Sequence, residues 1–186
     1  NYIFDTGSTG LVLNADHQPA VKRGQNSILG ASTSTESLQK HIAKFQFGNI
    51  TKRNFSAACL SLAHIELSMN MHIDGLIGME ILHGSAIIID YDSQMLMLAD
   101  PINDYSGADI ILDISFISGI PVVKSMLNGQ SLNLAIDFGA TSSILDNSTA
   151  EHLDLEIIEQ IDLLTASGKT SALNKVRCNN LLLGSS

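Results

Sequence analysis

Ile3-Phe4-Asp5-Thr6-Gly7-Ser8-Thr9 returns 132 residues later as Ala135-Ile136-Asp137-Phe138-Gly139-Ala140-Thr141. At the same offset Val12-Leu13-Asn14 returns as Ile144-Leu145-Asp146. Asp, Gly and Thr coincide, and the apolar positions keep their character. Each copy reads as an apolar strand, an Asp-x-Gly turn and a second apolar strand. Glycine at the turn permits positive φ or a close backbone approach. A chain that repeats such a unit carries two carboxylates at equivalent places, so the repeat organises everything else in the reading.

Further matches extend the repeat. Phe45-Gln46-Phe47-Gly48-Asn49 in the first copy answers Leu181-Leu182-Leu183-Gly184-Ser185 in the second. Between them lie small polar stretches, 30–35 and 165–170, each reading as the tip of a hairpin. Asn128-Gly129 between apolar runs is a strong hairpin signal. The first copy alone continues through Asp74-Gly75-Leu76-Ile77-Gly78, Ile87-Ile88-Ile89-Asp90 and Met95-Leu96-Met97-Leu98. The second copy alone has a strand-turn-strand lead-in before its Asp. Two related units are therefore expected, at 1–100 and 115–186, joined by a connection at 101–114. The first is expected to lack N-terminal strands and the second its C-terminal part.

Strands are expected at 2–4, 11–14, 42–47, 55–60, 85–91, 95–99, 120–127, 131–136 and 143–146, with a further lead-in strand at 115–123. Short helices are expected at 79–83, after a Gly, and at 148–152, capped by Asn147 or Ser148. The pattern is all-β.

Composition narrows the function. The chain has 186 residues, 45% of them apolar and 16% charged, enough for a real core. Lys and Arg number 10 against 19 Asp and Glu, a net charge of −9. That argues against nucleic acid and against an anionic membrane surface as partners. The longest apolar runs, such as 86–89 and 95–99, are far short of the roughly 20 residues that span a bilayer. Two Cys make neither a disulfide framework nor a Cys-rich zinc site.

Paired carboxylates carry a definite chemistry. Two of them about 3 Å apart share one proton, so one serves as base while the other serves as acid. Such a pair can activate water and protonate a leaving nitrogen with no metal or cofactor. General acid–base catalysis of this kind contributes about 10²–10⁴-fold in rate.

Here the chain resembles the pepsin/retropepsin-like aspartic proteases, in particular their bacterial retropepsin-like branch. The resemblance rests on Phe4-Asp5-Thr6-Gly7-Ser8, on Asp74-Gly75-Leu76-Ile77-Gly78-Met79-Glu80-Ile81-Leu82, and on Ala135 to Ser143. It implies an acid-protease fold of two pseudo-twofold-related β-barrel lobes, the second incomplete. Asp5 and Asp137 would be the catalytic dyad. Thr6 would tie the two active-site loops together through its hydroxyl, and Ser8 would bond the outer oxygen of Asp5. Gly7 and Gly139 would turn backbone N–H groups toward the carboxylates. Leu76, Ile77 and Gly78 would pass beneath the catalytic loop. The two hairpin tips would close as flaps over an extended peptide, bound by β-augmentation. No cofactor and no metal are implied, and members of the bacterial branch are often exported.

Phe138 stands where the family has Thr, and Ala140 also lacks a hydroxyl. Two readings therefore stay open: an aspartic endopeptidase, and a catalytically impaired peptide-binding module of the same fold. Other motifs carry less. Asp137-Phe138-Gly139 spells the kinase magnesium motif, but the other kinase motifs are missing. Gly168-Lys169-Thr170 would need a Gly at 163 to end a P-loop, and that residue is Leu163. His64 and His72 show no ligand spacing, which favours surface or packing roles. Cys59 and Cys178 read as buried free thiols, and Met69, Met71, Met79, Met95 and Met97 as core filler. Sequons stand at Asn49, Asn54 and Asn147.

Overall fold

Short runs of β-branched, aromatic and aliphatic residues, broken by glycine and asparagine turns, make strands the main element of this chain. The computed structural model describes residues 1–18, 26–29, 34–101, 108–164 and 170–184. In the first unit they form β1 (Tyr2–Phe4), β2 (Leu11–Asn14), β3 (Asn26–Leu29), β4 (Ser34–Phe47), β5 (Ile50–Leu60), β6 (Gly75–Ile77), β7 (Ala86–Asp90) and β8 (Met95–Ala99). Two helices, α1 (Ala63–Met69) and α2 (Met79–Leu82), flank β6. Then come β9 (Ile114–Ile117), β10 (Ile120–Leu127), β11 (Gln130–Ala135), α3 (Asn147–His152), β12 (Glu156–Leu164), β13 (Thr170–Arg177) and β14 (Leu181–Leu183). The all-β class expected from the sequence is the class found.

One sheet has six strands in the order β1-β6-β2-β5-β4-β3, and β7 and β8 pair apart from it. Its informative feature is β6, inserted parallel to β1 and antiparallel to β2. Strands lie about 4.8 Å apart, so the loop joining β1 to β2 must cross about 10 Å over the end of β6. Gly78 makes room for that crossing. A side chain there would meet the Ser8 and Gly10 carbonyls at 2.5 Å. The crossing loop in turn satisfies N–H groups at the start of α2, which have no partner within their own helix. Gly78 N–H donates to Gly10 at 3.0 Å, Met79 N–H to Ser8 at 2.9 Å and Glu80 N–H to Thr9 at 2.6 Å.

Strand β2 is buried along its whole length. Leu11 and Leu13 pack with Ala57, Cys59, Ile77, Ile81 and Leu82. Val12 faces the other way and packs with Leu62, Ile73 and Leu76. Apolar burial on both faces fixes the register of β2, because a one-residue slip would exchange the two sets.

In the four-stranded sheet β10 is central. Strand β11 lies along one edge, while β9 and β14 divide the other between them. The Asn128-Gly129 hairpin is present, with both residues at positive φ as its tight turn requires. Strands β12 and β13 form a separate hairpin. The two answering glycines, Gly48 and Gly184, both take positive φ just after a strand.

Several expectations are corrected. Residues 143–146 form no strand; Asp146 instead caps α3, accepting the Thr149 N–H, so neither Asn147 nor Ser148 is the cap. The lead-in strand 115–123 is broken at Ser118-Gly119, a second tight hairpin with both residues at positive φ. Helix α1 was not expected. Cys59 is buried but Cys178 is exposed. Met69, Met71, Met95 and Met97 are exposed rather than core. Most of the first hairpin tip, most of the second and the connecting residues 102–107 lie outside the described residues.

The crossing at Gly78 gives a direct test. Gly78→Ala forces a methyl group into two carbonyls and is expected to cost about 1–3 kcal/mol in urea unfolding. Gly10→Ala, whose methyl would meet only the Glu80 carboxylate at 3.8 Å, is expected to be close to neutral.

Candidate active site

The two Asp-x-Gly turns meet. Asp5 leaves the end of β1, where its N–H donates to the Ile77 carbonyl at 3.0 Å. Asp137 leaves the end of β11, and the preceding Ile136 is held by an N–H bond to the Pro121 carbonyl at 2.9 Å. Each carboxylate accepts the N–H of the glycine two residues on. Gly7 N–H reaches Asp5 Oδ1 at 2.9 Å, and Gly139 N–H reaches Asp137 Oδ1 at 2.8 Å.

The glycines also set how closely the turns approach. A Cβ on Gly139 would stand 2.6 Å from Cγ of Asp5. One on Gly7 would overlap the Asp137 carboxylate just as severely. Each turn is thus shaped to admit the other turn's Asp, and only glycine leaves the space.

Thr6 joins the loops. It is 3% exposed, and its hydroxyl donates to the Ile136 carbonyl at 2.6 Å while accepting the Phe138 N–H at 2.9 Å. The second of these bonds uses the backbone of residue 138, so it is indifferent to that residue's side chain. Phe138 cannot return a hydroxyl. Its ring instead stacks on Phe4, with centroids 5.8 Å apart and planes at 29°. At 47% exposure it lies outside the loop junction and does not wedge the two carboxylates apart.

Ser8 differs from expectation. Its hydroxyl donates to the Gly10 carbonyl at 3.4 Å, a long bond, and its contribution to Asp5 comes from the backbone N–H. Leu76 and Ile77 are buried, pairing with β1 and β2 beneath the loop, and Gly78 lies under Ser8 and Gly10. Asp137, Phe138, Gly139 and Ala140 are all exposed. Among the described residues, no strand takes the place of β6 under the Asp137 loop.

This asymmetry has an electrostatic consequence. Burial raises the Asp5 carboxyl first, and the Asp137 charge and its hydrogen bond raise it further, to about 6. The Gly7 and Ser8 N–H groups pull the other way but do not prevail. The site therefore places a carboxyl that holds its proton more tightly than usual beside the Asp137 side chain, open to solvent on the Asp137 side. Phe4, Gly10 and Ile136 are contributors that the sequence reading missed. Two of them act through backbone carbonyls, which no residue pattern reveals, and Phe4 was hidden in a strand's apolar run.

Residues 123–186 match the family model described as aspartyl protease. The matched segment contains Asp137, Phe138 and Gly139, whereas Asp5 lies outside it. A search of curated proteins gives no match.

Two outcomes are expected. Thr6→Val strands the Ile136 carbonyl and the Phe138 N–H and should lower stability by about 1–3 kcal/mol in urea unfolding, while Thr6→Ser retains most of it. The Asp5 carboxyl, ordinarily at 3.8, rises to about 6 on folding, so the native state binds this proton more tightly. Its stabilising contribution is full below the unfolded value and is lost as pH climbs toward 6. Thermal unfolding of Asp5→Asn should be flatter across that window and should exceed the parent at pH 7.

Proposed function

We propose that the chain is the core of an aspartic endopeptidase of the pepsin/retropepsin-like type, with Asp5 and Asp137 as its dyad. Two lobes, 1–100 and 115–186, would each supply one loop, joined through 101–114. The observation that carries this reading is the mutual seating of the turns, Gly7 against Asp137 and Gly139 against Asp5. A turn that served only to reverse the chain would have no reason to admit a carboxylate from 132 residues away. The family match supports the Asp137 half, and the internal repeat extends the reading to Asp5.

In the proposed reaction a water lies between the carboxyls. The ionised member takes a proton from it as the water oxygen attacks the scissile carbonyl carbon. The protonated member gives its proton to the carbonyl oxygen, forming a neutral tetrahedral diol. When the C–N bond breaks, the leaving nitrogen takes a proton from one carboxyl while a diol hydroxyl returns its proton to the other, giving an amine, a carboxylic acid and a dyad with its single proton restored. Water is the nucleophile, so no acyl-enzyme forms. An extended peptide is the substrate class, since backbone-directed binding beside a sheet suits a dyad that attacks the backbone itself.

The alternative is a peptide-binding module that no longer cleaves. Its observation is Phe138, a half-exposed ring in place of a loop hydroxyl. Against it stands the mutual seating of the two turns, which the ring, stacked on Phe4, leaves intact.

Peptide cleavage should be strongest in acid and fall as pH passes about 6, where Asp5 loses the shared proton. Asp5→Asn and Asp137→Asn should each reduce kcat by at least about 10²-fold, read by mass spectrometry of a varied peptide mixture. Silence across pH 3 to 7, with peptide binding unchanged in Asp5→Asn, would overturn catalysis in favour of the binding module.

A further inference from the structure

A second cluster of titratable side chains stands at the far end of β2 from the Asp5 loop. His17 closes the 3-10 turn Ala15–His17 after β2, Glu66 projects from α1, and His72 lies in the turn leading to β6. His17 Nε2 is 2.9 Å from Glu66 Oε1, and His72 Nδ1 is 3.4 Å from the same oxygen. The two imidazole rings are 4.2 Å apart between centroids. One ligand atom from each of the three residues lies within 4.8 Å of the others.

The supporting shell is built rather than accidental. Asn14, 0% exposed, accepts the N–H groups of Leu62 at 3.1 Å and Asp16 at 3.2 Å and donates to the Ile73 carbonyl at 2.9 Å. One buried amide thus pins all three segments that bear the cluster. Glu66 is oriented by the Ile73 N–H at 2.7 Å. His72 Nε2 faces Asp74 Oδ1 at 3.1 Å, which orients the ring.

The ring's other nitrogen, Nδ1, is thereby turned toward Glu66 and His17, so the three side chains converge on one point. Two imidazoles and one carboxylate form a donor set suited to a borderline divalent ion such as Zn²⁺, with a remaining position open to water.

We propose that His17, Glu66 and His72 bind a divalent transition-metal ion of the Zn²⁺ class, with Asp74 orienting His72. The ion ties α1 and the turn before β6 to the end of β2. It stands apart from the proposed dyad and takes no part in its chemistry.

The test uses the full chain, stripped with a chelator and titrated with Co²⁺ and then Zn²⁺. One equivalent of Co²⁺ should give a saturable visible absorption that Zn²⁺ displaces. Zn²⁺ at 100-fold above its Kd should raise Tm by about 5–10 °C. Among the six imidazole signals in the ¹⁵N NMR spectrum, two should move on Zn²⁺ addition, a readout that needs no variant. His17→Gln and His72→Gln should each weaken binding at least tenfold, and Asp74→Asn about 10–100-fold. His83→Gln should leave it unchanged. Absence of both the Co²⁺ band and the Tm rise would overturn the proposal, and so would binding that survives His17→Gln together with His72→Gln.

Discussion

One hydroxyl holds the two halves of this molecule in register. Thr6 is buried at the junction of the Asp5 and Asp137 loops, and its oxygen both gives and takes a hydrogen bond across that junction. Both partners are backbone groups of the opposite loop. The bonds therefore set the height and spacing of two peptide segments. The carboxylates of Asp5, one residue before Thr6, and of Asp137, between Ile136 and Phe138, inherit that spacing. Without a fixed spacing, the two acids would be separate side chains on two unrelated turns.

The loop that carries Thr6 is itself rigid for a topological reason. Strand β6 stands between β1 and β2, so their connection must span it, and α2 begins where the span passes. Carbonyls of Ser8, Thr9 and Gly10 meet N–H groups that a helix start leaves free. The second loop has less beneath it. The more buried loop raises the pKa of its Asp toward neutrality, and the more open loop leaves its Asp accessible. Two nearly identical motifs thus acquire unequal roles from their surroundings.

Much of this was legible in the sequence because repetition is independent of structure. The offset of 132 pointed to both Asp residues, and Asn128-Gly129 announced its turn through the chemistry of glycine. What was illegible depends on pairing across space. Residues 143–146 have the apolar pattern of a strand, but among the described residues no neighbour offers them a ladder. Ser118-Gly119 lay inside an apolar stretch that looked continuous, until β9 folded back on β10. Methionines such as Met95 and Met97 read as core because hydrophobicity alone cannot say which strands are covered. The His17, Glu66 and His72 cluster had no sequence spacing at all, since Asn14 assembles it from three separate segments.

The reciprocal seating of each Asp against the other loop's glycine bears on how such a chain can drift. A change at Gly7 is felt by Asp137, and a change at Gly139 by Asp5, so the two halves of the repeat are not free to diverge at these positions. Residue 138 is under no such restraint: its backbone N–H is what Thr6 binds, and its side chain points away from the junction. The repeat is accordingly unlike at Thr6 and Phe138 and alike at the Asp and Gly on either side, where each loop must fit the other.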